Sequence, residues 1–539
     1  MAPGAPHPRQ IPTEVELAVL GGGINGAAVA CLAASYGYHV ALFEKGDFAS
    51  GTSSKSSKLV HGGIRYLETG HFGLVRESLR EREALLHAKP HLVRPLPFLL
   101  PSYTGDARPA WMLRSGLLLY DWLASISSLP RPQWLTANGA LQRVPSLRRQ
   151  GLRGAGAYFD AQVDDARLTL EEVLEAQGRG ATCLNYCEVL GVTHREGYCE
   201  VVVQDTLSGS RGAVRARALI VTAGPWADIV RQRLTGVSDT LLRPTRGSHI
   251  VLREPLAGEA VVGAAPQDGR VFFALPWRGM GLVGTTDDDD RRSPDAVSPD
   301  GRDIDYLLAA ARHYFPSKSL QREDVVSTFA GLRPLLADGV KNASAVSRDA
   351  RLIREGRLVF VLGGKLTAYR ALARQALEQS LPALGAPREA RALLHPWGEP
   401  PVPPARRKEW ALRLEALGIQ PATASALAER HGCRTERLLQ LIQDEPVLAE
   451  PLCPPHPELR GEVAFAILHE SAHALEDVLL RRLTIGSRPD HHGEASAAAA
   501  SVMARYLCWD ERRQRAEMAR YSAMRGFVRY SGRAESGSE

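Results

Sequence analysis

A glycine-rich turn near the start of the chain could hold the phosphates of a dinucleotide. Residues 21–26 read Gly-Gly-Gly-Ile-Asn-Gly, which satisfies G-x-G-x-x-G, and they lie directly between an apolar run and an alanine-rich stretch. Gly21 allows a tight turn, Gly23 lets the backbone approach a pyrophosphate, and Gly26 lets a helix pack closely on a strand. Glu44 ends the next apolar run, where a carboxylate can bind ribose hydroxyls. The combination predicts a dinucleotide site, disfavours a 2′-phosphate and leaves flavin and nicotinamide cofactors open.

Alternating strand and helix patterns predict the elements that position this turn. Residues 15–20 and 39–43 are short apolar runs on either side of the alanine-rich residues 27–36, which is typical of a strand–turn–helix–strand unit. Further strand patterns occur at residues 201–203, 218–222, 271–276, 281–286 and 358–362. The third and fourth of these suggest antiparallel strands of a separate sheet. We therefore predict an α/β chain with a nucleotide-binding domain and a second sheet.

A different pattern begins after the proline-rich residues 396–404, which we interpret as a linker. Apolar residues then recur with helical spacing in residues 408–417, 422–431, 434–443, 459–483 and 495–528. The sequence therefore predicts a C-terminal domain built only of helices.

Length, charge and cysteine content exclude several classes of protein. A chain of 539 residues should form two or three domains, and a net charge of +6 is too small to suggest a nucleic-acid-binding protein. The seven cysteines are scattered with no C-x-x-C pair, which indicates reduced thiols in the cytosol. Residues 1–13 lack the apolar stretch of a signal peptide, and no apolar run of about 20 residues occurs. We expect no membrane-spanning helix.

A long polar motif after Glu44 carries a family resemblance. Residues 52–68 read TSSKSSKLVHGGIRYLE, which resembles the signature of FAD-linked glycerol-3-phosphate dehydrogenases. Residues 222–226 (TAGPW) are similar to that family's second flavin motif. Further matching motifs fall in the family's order at residues 246–249 (RGSH), 284–287 (GTTD), 331–335 (GLRPL), 347–349 (SRD) and 363–367 (GGKLT). The resemblance covers residues 15–370 and, more loosely, the helical C-terminus.

The resemblance implies the D-amino-acid-oxidase fold, with FAD as the cofactor. In this fold an α/β, Rossmann-like FAD-binding domain and an antiparallel-sheet substrate domain are assembled from separated segments. We predict FAD-binding segments at residues 14–92, 161–230 and 326–390. We predict substrate-domain segments at residues 93–160 and 231–325, and the C-terminal all-α domain at residues 396–530. The family resemblance also implies a homodimer.

The activity implied by the resemblance is the oxidation of sn-glycerol 3-phosphate to dihydroxyacetone phosphate by hydride transfer to FAD. Arginine suits the phosphate group because its planar fork donates two parallel hydrogen bonds. The family motifs imply that Arg65 and Arg333 contact the substrate, with Tyr66 as a neutral donor. Lys365 is expected near the flavin and the substrate. Arg348 is a further candidate, although it has the strongest alternative interpretation, an ordinary salt bridge.

The group that accepts the hydroxyl proton remains open between two histidines. Imidazole titrates near neutral pH, and cationic neighbours favour its unprotonated form. His61 could equally serve only to order the backbone of the flavin loop. His249 could be a packing residue at a strand end, although we favour a functional interpretation.

The residues expected to contact FAD come from the same motifs. The glycine turn and the acid after it contribute Gly21, Gly23, Ile24, Asn25, Gly26, Glu44 and Lys45. The long polar motif contributes Thr52, Ser53, Ser54, Ser57, Lys58, Leu59, His61, Gly62 and Gly63. The later motifs contribute Ala223, Gly224, Trp226, Gly331, Gly364, Lys365, Leu366 and Thr367.

The acceptor that reoxidises the flavin is less well determined. The resemblance favours a quinone-linked dehydrogenase held peripherally on the cytoplasmic face of the cell membrane. The basic residues 406–417 and 512–529 could contact anionic lipid or be ordinary solvated helix faces. A soluble oxidase of the same family that produces hydrogen peroxide, a non-catalytic flavoprotein and an amino-acid oxidase of the same fold are alternatives. The complete set of motifs disfavours the last two.

Two apparent metal motifs are interpreted as structural. Residues 469–473 read His-Glu-Ser-Ala-His and match H-E-x-x-H on a predicted helix, but no third ligand of the kind a zinc protease needs follows. Residues 287–290 are four consecutive aspartates, which are more typical of a solvated turn than of a cation site. We predict no metal.

Overall fold

In the computed structural model, which describes residues 9–125, 127–337, 350–385, 401–488 and 492–524, the chain forms two sheets and a helical domain. The strands are β1 (Glu14–Leu20), β2 (Val40–Phe43), β3 (Leu59–Val60), β4 (Arg94–Tyr103), β5 (Gln133–Leu135), β6 (Leu152–Gln162), β7 (Thr182–Leu184), β8 (Cys187–His194), β9 (Cys199–Asp205), β10 (Arg211–Val221), β11 (Leu242–Leu252), β12 (Ala260–Ala264), β13 (Val271–Trp277), β14 (Met280–Gly284), β15 (Asp288–Asp289), β16 (Val325–Leu336), β17 (Arg351–Glu355) and β18 (Leu358–Leu362).

The helices cover the faces of the sheets and build the C-terminal domain. They are α1 (Ile24–Ser35), α2 (Phe72–Ala88), α3 (Ala110–Ala124), α4 (Ala137–Arg143), α5 (Asp165–Gly178), α6 (Ala227–Thr235), α7 (Gly301–Tyr314), α8 (Tyr369–Leu384), α9 (Pro404–Glu415), α10 (Pro421–His431), α11 (Thr435–Asp444), α12 (Arg460–His469), α13 (His492–Leu507) and α14 (Glu511–Met524). Short 3-10 helices at Thr52–Ser54, Ile64–Leu67 and Gly224–Trp226 carry the polar motifs.

The first sheet has the layout of a dinucleotide-binding domain. Its strands lie in the order β17-β18-β10-β1-β2-β7, and the neighbours from β18 to β7 are parallel. β9 pairs antiparallel with β10, and β8 pairs with β9. Helices α1, α5 and α8 cover one face, where alanines of α1 are fully buried. Because parallel strands are covered on both faces, β1 and β2 are almost wholly apolar.

The second sheet has the order β15-β11-β14-β13-β12-β4-β6-β3, with β16 paired to β11 and β5 paired to β6. The predicted antiparallel strands correspond to β13 and β14. Helix α7 covers one face, while α2 and α3 pack against the other. β3 and β16 belong to this sheet although they fall within residues assigned to the FAD-binding segments. The segment boundaries stay a prediction.

The C-terminal helices α9 to α14 share one apolar core, to which Trp410, Phe465 and Leu479 contribute. The helical spacing over residues 459–483 spans more than one helix. α12 ends at His469, and a π-helix spans Asp477–Arg482, because Ser471 adopts a left-handed conformation with φ +56°. The spacing over residues 495–528 likewise covers two separate helices, α13 and α14; its residues 525–528 lie outside the described chain.

Within the part of the chain that the structure describes, no helix combines the length and the apolarity needed to cross a bilayer. Each of the seven cysteines is a free thiol, as predicted, and Cys183, Cys187 and Cys199 are buried in strands.

Candidate active site

The glycine turn lies between β1 and α1, and its glycines make contacts that larger residues could not make. Gly21 has φ +104°, and a Cβ there would lie 2.6 Å from the Thr222 carbonyl oxygen. A Cβ on Gly26 would overlap the Gly21 carbonyl oxygen, and one on Gly23 would lie 3.1 Å from Ser53 Oγ. The turn therefore needs glycine both for its conformation and for the close helix–strand contact.

Glu44 lies beside this turn at the end of β2. Its carboxylate accepts hydrogen bonds from the backbone N–H of Gly22 at 2.6 Å and of Gly46 at 2.8 Å. Burial raises the pKa of Glu44, while these two amides and Lys45 oppose the rise. The carboxylate is thereby fixed at a position suited to a ribose.

A cavity of about 1170 Å³ connects the glycine turn with the later motifs. It is larger than the roughly 300–1,000 Å³ of ordinary small-molecule sites, which fits a large cofactor together with a substrate. Every candidate site residue within the described ranges lines it except Gly26 and Gly62. Arg348 lies outside the described residues.

The cavity wall has spare hydrogen-bonding capacity that fits a dinucleotide. Asn25 Oδ1 is buried, and no donor among the described residues reaches it. Gly364, with φ +100°, lies beside this amide, since a Cβ there would be 3.2 Å from Asn25 Nδ2. The first and last motifs thus meet at one edge of the cavity.

The polar loop between the two sheets is held by internal hydrogen bonds. Ser53 Oγ accepts a hydrogen bond from the Ile24 N–H at 2.9 Å. Lys58 Nζ donates to Asp165 Oδ1 at 2.6 Å and to the Ser54 carbonyl at 2.7 Å. The Lys58 ammonium group therefore fixes the loop against α5.

Lys45 and Trp226 both contact the carboxylate of Asp295, a residue that the sequence analysis did not identify. Lys45 Nζ lies 2.8 Å from Asp295 Oδ1 and 4.3 Å from the centre of the Trp226 ring. Trp226 Nε1 donates to Asp295 Oδ2 at 3.1 Å. Asp295 is a lone carboxylate in a loop, so no local pattern could have identified this contact.

Arg333 lies within the second sheet and faces the cavity. Its Nη1 donates to Asp287 Oδ1 at 2.9 Å, and its Nη2 donates to Thr285 Oγ1 at 2.7 Å. A Cβ on Gly247 would overlap the guanidinium, so the facing strand needs glycine there. Burial lowers the pKa of Arg333, Asp287 opposes this, and Arg65 lowers it further. Two guanidinium groups that repel each other beside a cavity favour an anion.

Tyr66 lies between two further cations. Arg65 Nη2 donates to the Tyr66 hydroxyl at 3.4 Å, and the Arg65 guanidinium lies 5.0 Å from the ring centre. Lys365 Nζ lies 4.3 Å from the same ring centre. We call Arg65, Tyr66, Arg333 and Lys365 the cationic wall.

His249 is a buried and neutral imidazole. Its side chain is 2% exposed, its Nε2 lies 2.9 Å from Ser57 Oγ, and its ring stacks on Phe329 at 4.8 Å. Burial, Arg333 and Lys58 hold its pKa well below the usual value. The ring is therefore neutral at neutral pH, with Nε2 already engaged by a hydroxyl.

His61 has a more open position on the same cavity. It is half-buried, and its backbone N–H donates to Thr367 Oγ1 at 3.2 Å. The next residue, Gly62, packs away from the cavity, against Leu79 and the Tyr120 hydroxyl. This glycine therefore positions the turn and does not line the cavity.

Comparison with known proteins decides the family. Residues 16–369 match the family described as FAD dependent oxidoreductase, and residues 363–514 match the C-terminal domain of alpha-glycerophosphate oxidase. The glycerol-3-phosphate dehydrogenase of Synechocystis sp. is 36% identical over 94% of this chain and 96% of its own length. The chain is an FAD-dependent enzyme of the glycerol-3-phosphate dehydrogenase family.

Two other proteins similar to this family member are informative. The D-erythritol 1-phosphate dehydrogenase of Brucella abortus is 38% identical over 87% of this chain and 94% of its own length. The glycerol-3-phosphate dehydrogenase of Bacillus halodurans, solved in complex with FAD, superimposes with a TM-score of 0.76 at 27% identity, covering 96% of this chain and 95% of that one. The predicted fold class is confirmed, and FAD is the cofactor of this enzyme.

The helical domain of the enzyme is joined to the cavity wall by a buried ion cluster. Asp47 accepts hydrogen bonds from Arg481 Nε and Arg482 Nη1, each at 2.6 Å, and from Asn185 Nδ2 at 2.9 Å. Burial alone would raise the pKa of Asp47, but the two arginines lower it to about 2. Leu480, which directly precedes these arginines in the π-helix, lines the cavity. No motif in the sequence indicates this long-range pairing.

The H-E-x-x-H motif does not form a zinc site in this enzyme. α12 ends at His469, so the two histidines do not share a helix face. Glu470 pairs with Arg167 Nη1 at 2.6 Å, and His473 Nε2 lies 2.9 Å from Arg9 Nη1. Burial and Arg9 lower the pKa of His473 to about 4.

The other acidic residues that could bind a metal form ion pairs with arginine or lysine side chains. The prediction of a solvated acidic turn is wrong for Asp287 and Asp290, which are buried because each pairs with an arginine, Arg333 and Arg292 respectively. Within the described ranges, one group has the spacing of metal ligands: Cys31, Glu172 and Glu175. Both of its glutamates pair with Lys89.

Proposed function

We propose that this enzyme oxidises sn-glycerol 3-phosphate to dihydroxyacetone phosphate and delivers the electrons to a membrane quinone. The observation that carries the proposal is the cationic wall beside a cavity lined by the FAD motifs. A dianionic phosphate would relieve the repulsion between Arg65 and Arg333 and satisfy their donors. When bound, FAD supplies the two-electron acceptor for the hydride of the secondary alcohol.

The positions of the side chains support a division of roles. Arg333, fixed by Asp287, and Arg65, fixed by Tyr66, bind the phosphate. Lys365 places its charge beside them and orients the polyol.

We propose that His61 is the base that accepts the proton of the substrate's secondary hydroxyl. Its half-buried ring on the cavity wall is accessible to a substrate, whereas His249 is buried and its Nε2 is engaged by Ser57. His249 is then a positioning residue that fixes the Ser57 hydroxyl. When the substrate loses its hydride, the proton of its hydroxyl passes to the His61 imidazole.

The length of the polyol chain is the main question of specificity. The similarity to a D-erythritol 1-phosphate dehydrogenase means that a longer polyol phosphate is a second candidate substrate. We favour glycerol 3-phosphate because relatives of that name cover most of both chains. The test compares both esters and free glycerol with the holoenzyme and a soluble dye acceptor, with the product identified by mass spectrometry. A higher kcat/KM for the erythritol ester would overturn the substrate assignment.

The acceptor is tested separately, by supplying oxygen or a short-chain quinone analogue to the same preparation. We expect fast quinone reduction and little hydrogen peroxide. Peroxide formed in one-to-one ratio with dihydroxyacetone phosphate would instead support the soluble oxidase. The family resemblance also supports a homodimer bound peripherally to the cytoplasmic face of the cell membrane, and sedimentation with and without detergent tests the oligomeric state.

A further inference from the structure

Helix α3 exposes an apolar face to solvent. Trp111, Leu118 and Trp122 are 70%, 70% and 75% exposed, the highest values for large apolar side chains in the described part of the chain. Their spacing puts them on one side of the helix. Single exposed apolar residues need no explanation, whereas a row of three with two indoles marks a surface that contacts something apolar.

The opposite side of α3 belongs to the active site. The Tyr120 hydroxyl packs against Gly62, at the start of the turn that carries Arg65 and Tyr66. Five residues of α3 line the cavity: Met112, Leu113, Ser115, Gly116 and Leu119. One helix therefore separates the cavity from the exposed apolar face, and a helix is about 10–12 Å across.

The exposed charge on this face of α3 is basic. Arg114 is exposed, one turn after Trp111, and its guanidinium lies 4.6 Å from the centre of the Trp134 ring. Asp121, the one acidic residue within α3, is half-buried. Phe72, which begins α2, adds a further apolar side chain at 46% exposure, and α2 packs against α3.

We propose that the face of α3 formed by Trp111, Arg114, Leu118 and Trp122 docks on a bilayer that contains anionic lipid, and that the acceptor reaches the flavin cavity from this side. The proposal rests on the proposed function, since a quinone acceptor resides in the bilayer. Indoles prefer the boundary between headgroups and acyl chains, and arginine is attracted to anionic headgroups. A helix lying in that plane buries its apolar face and leaves its other face to the protein.

Two other occupants of this face are less well supported. A second copy of the chain would need roughly 800 Å² from each partner for a stable interface, and three side chains on one helix supply only a small part of it. The two basic segments predicted to contact lipid are less apolar: within the described residues α9 exposes one large apolar side chain, Leu412, at 55%, and α14 exposes none. The face of α3 combines more apolar area with direct contact to the active site.

The test uses the full-length holoenzyme with Trp111→Gln and Trp122→Gln combined. Both side chains are exposed, so the fold should not change. Sedimentation is measured with phosphatidylcholine vesicles with and without phosphatidylglycerol, alongside activity with a soluble dye and with quinone carried in the vesicles. Leu412→Gln on α9 is the control, because it replaces an exposed apolar side chain by glutamine on a different surface helix.

We expect vesicle binding of the double variant to fall by roughly tenfold or more, since binding scales with the apolar area inserted. Quinone activity in vesicles should fall with it, dye activity should stay within about twofold, and Leu412→Gln should bind like the parent. Arg114→Gln should weaken binding only to vesicles that contain phosphatidylglycerol.

Three results would overturn the proposal. The first is unchanged vesicle binding of the double variant, and the second is a larger loss in Leu412→Gln. The third is a parent protein that forms a dimer and does not bind vesicles, together with a double variant that is monomeric. That result would assign the face to a second copy of the chain. If the parent protein showed no dye-linked activity with glycerol 3-phosphate, that result would count against the proposed function and not against the docking surface.

Discussion

The guanidinium of Arg333 is fixed by Asp287 at 2.9 Å, next to a cavity that it shares with Arg65. Arg333→Lys keeps the charge but removes the fork, so we expect KM for glycerol 3-phosphate to rise roughly hundredfold, about 3 kcal/mol of lost charge-assisted hydrogen bonding. Steady-state kinetics with a dye acceptor measures this. Arg243→Lys is the control, because Arg243 forms a partly exposed pair with Asp289. A KM within about twofold of the parent in Arg333→Lys would remove Arg333 from the phosphate site.

The two histidines are separated by their effects on the reductive step. His61→Asn should slow flavin reduction by about 10²–10⁴-fold, the usual range for loss of a general base. His249→Asn should slow it by only about tenfold, and Ser57→Ala should have the same effect without adding to it, because the pair acts as a unit. Anaerobic stopped-flow absorbance measures the parent, the three single variants and the His249→Asn, Ser57→Ala double variant. A slower reduction in His249→Asn than in His61→Asn would reverse the assignment.

At the scale of elements, the π-helix Asp477–Arg482 is docked onto the FAD-binding domain by Asp47. Asp47→Asn removes the carboxylate that pairs with the buried Arg482 and leaves the buried Arg481 with Asp477 and Glu476, so we expect a loss of about 3–5 kcal/mol in the free energy of unfolding. Weaker FAD retention should follow, because Leu480 and Arg481 line the cavity. Urea denaturation and gel filtration of the holoenzyme measure both effects.

The control for this docking contact is Glu188→Gln, which breaks a partly exposed pair with Arg233. Such pairs contribute about 0–1 kcal/mol, so this variant should match the parent. Equal stability of Asp47→Asn and Glu188→Gln would show that the helical domain is held in some other way.

The elements differ in how far the sequence could predict them. β1, α1 and β2 were predictable because burial on both faces leaves a short-range pattern of apolar residues. The end of α12 at His469 was not predictable, because the apolar spacing continues past it. The turn that follows depends on a hydrogen bond from Arg482 to the Glu470 carbonyl, which joins residues 12 positions apart. All but two of the site residues predicted from the motifs within the described ranges line the cavity, but more than half of its lining comes from residues outside those motifs. The contacts of Asp47 and Asp295 join residues hundreds of positions apart, for which one sequence carries no signal.

At the scale of the whole molecule, buried histidines make stability depend on pH. The pKa of His473 is lowered to about 4 by burial and by Arg9, whereas the unfolded chain titrates near 6.5. Below pH 6.5 the unfolded state gains a proton that the folded state does not, so this contribution to stability is lost as the pH falls toward 4. The loss is at most about 3 kcal/mol.

This contribution is isolated by difference, because other buried groups titrate in the same range. The free energy of unfolding of the parent minus that of His473→Gln should decrease between pH 7 and pH 4 in urea titrations. A constant difference over that range would mean that His473 is protonated equally in both states.

The central claim is that the half-buried guanidinium groups of Arg65 and Arg333 bind a phosphate ester so that its secondary alcohol faces the flavin. Anaerobic titration of the holoenzyme with glycerol 3-phosphate, followed at the visible absorbance band of the flavin, tests it most directly. We predict saturable bleaching by one equivalent of ester per flavin and none by free glycerol at the same concentration. An unchanged band with the ester, or equal bleaching by glycerol, would contradict the claim.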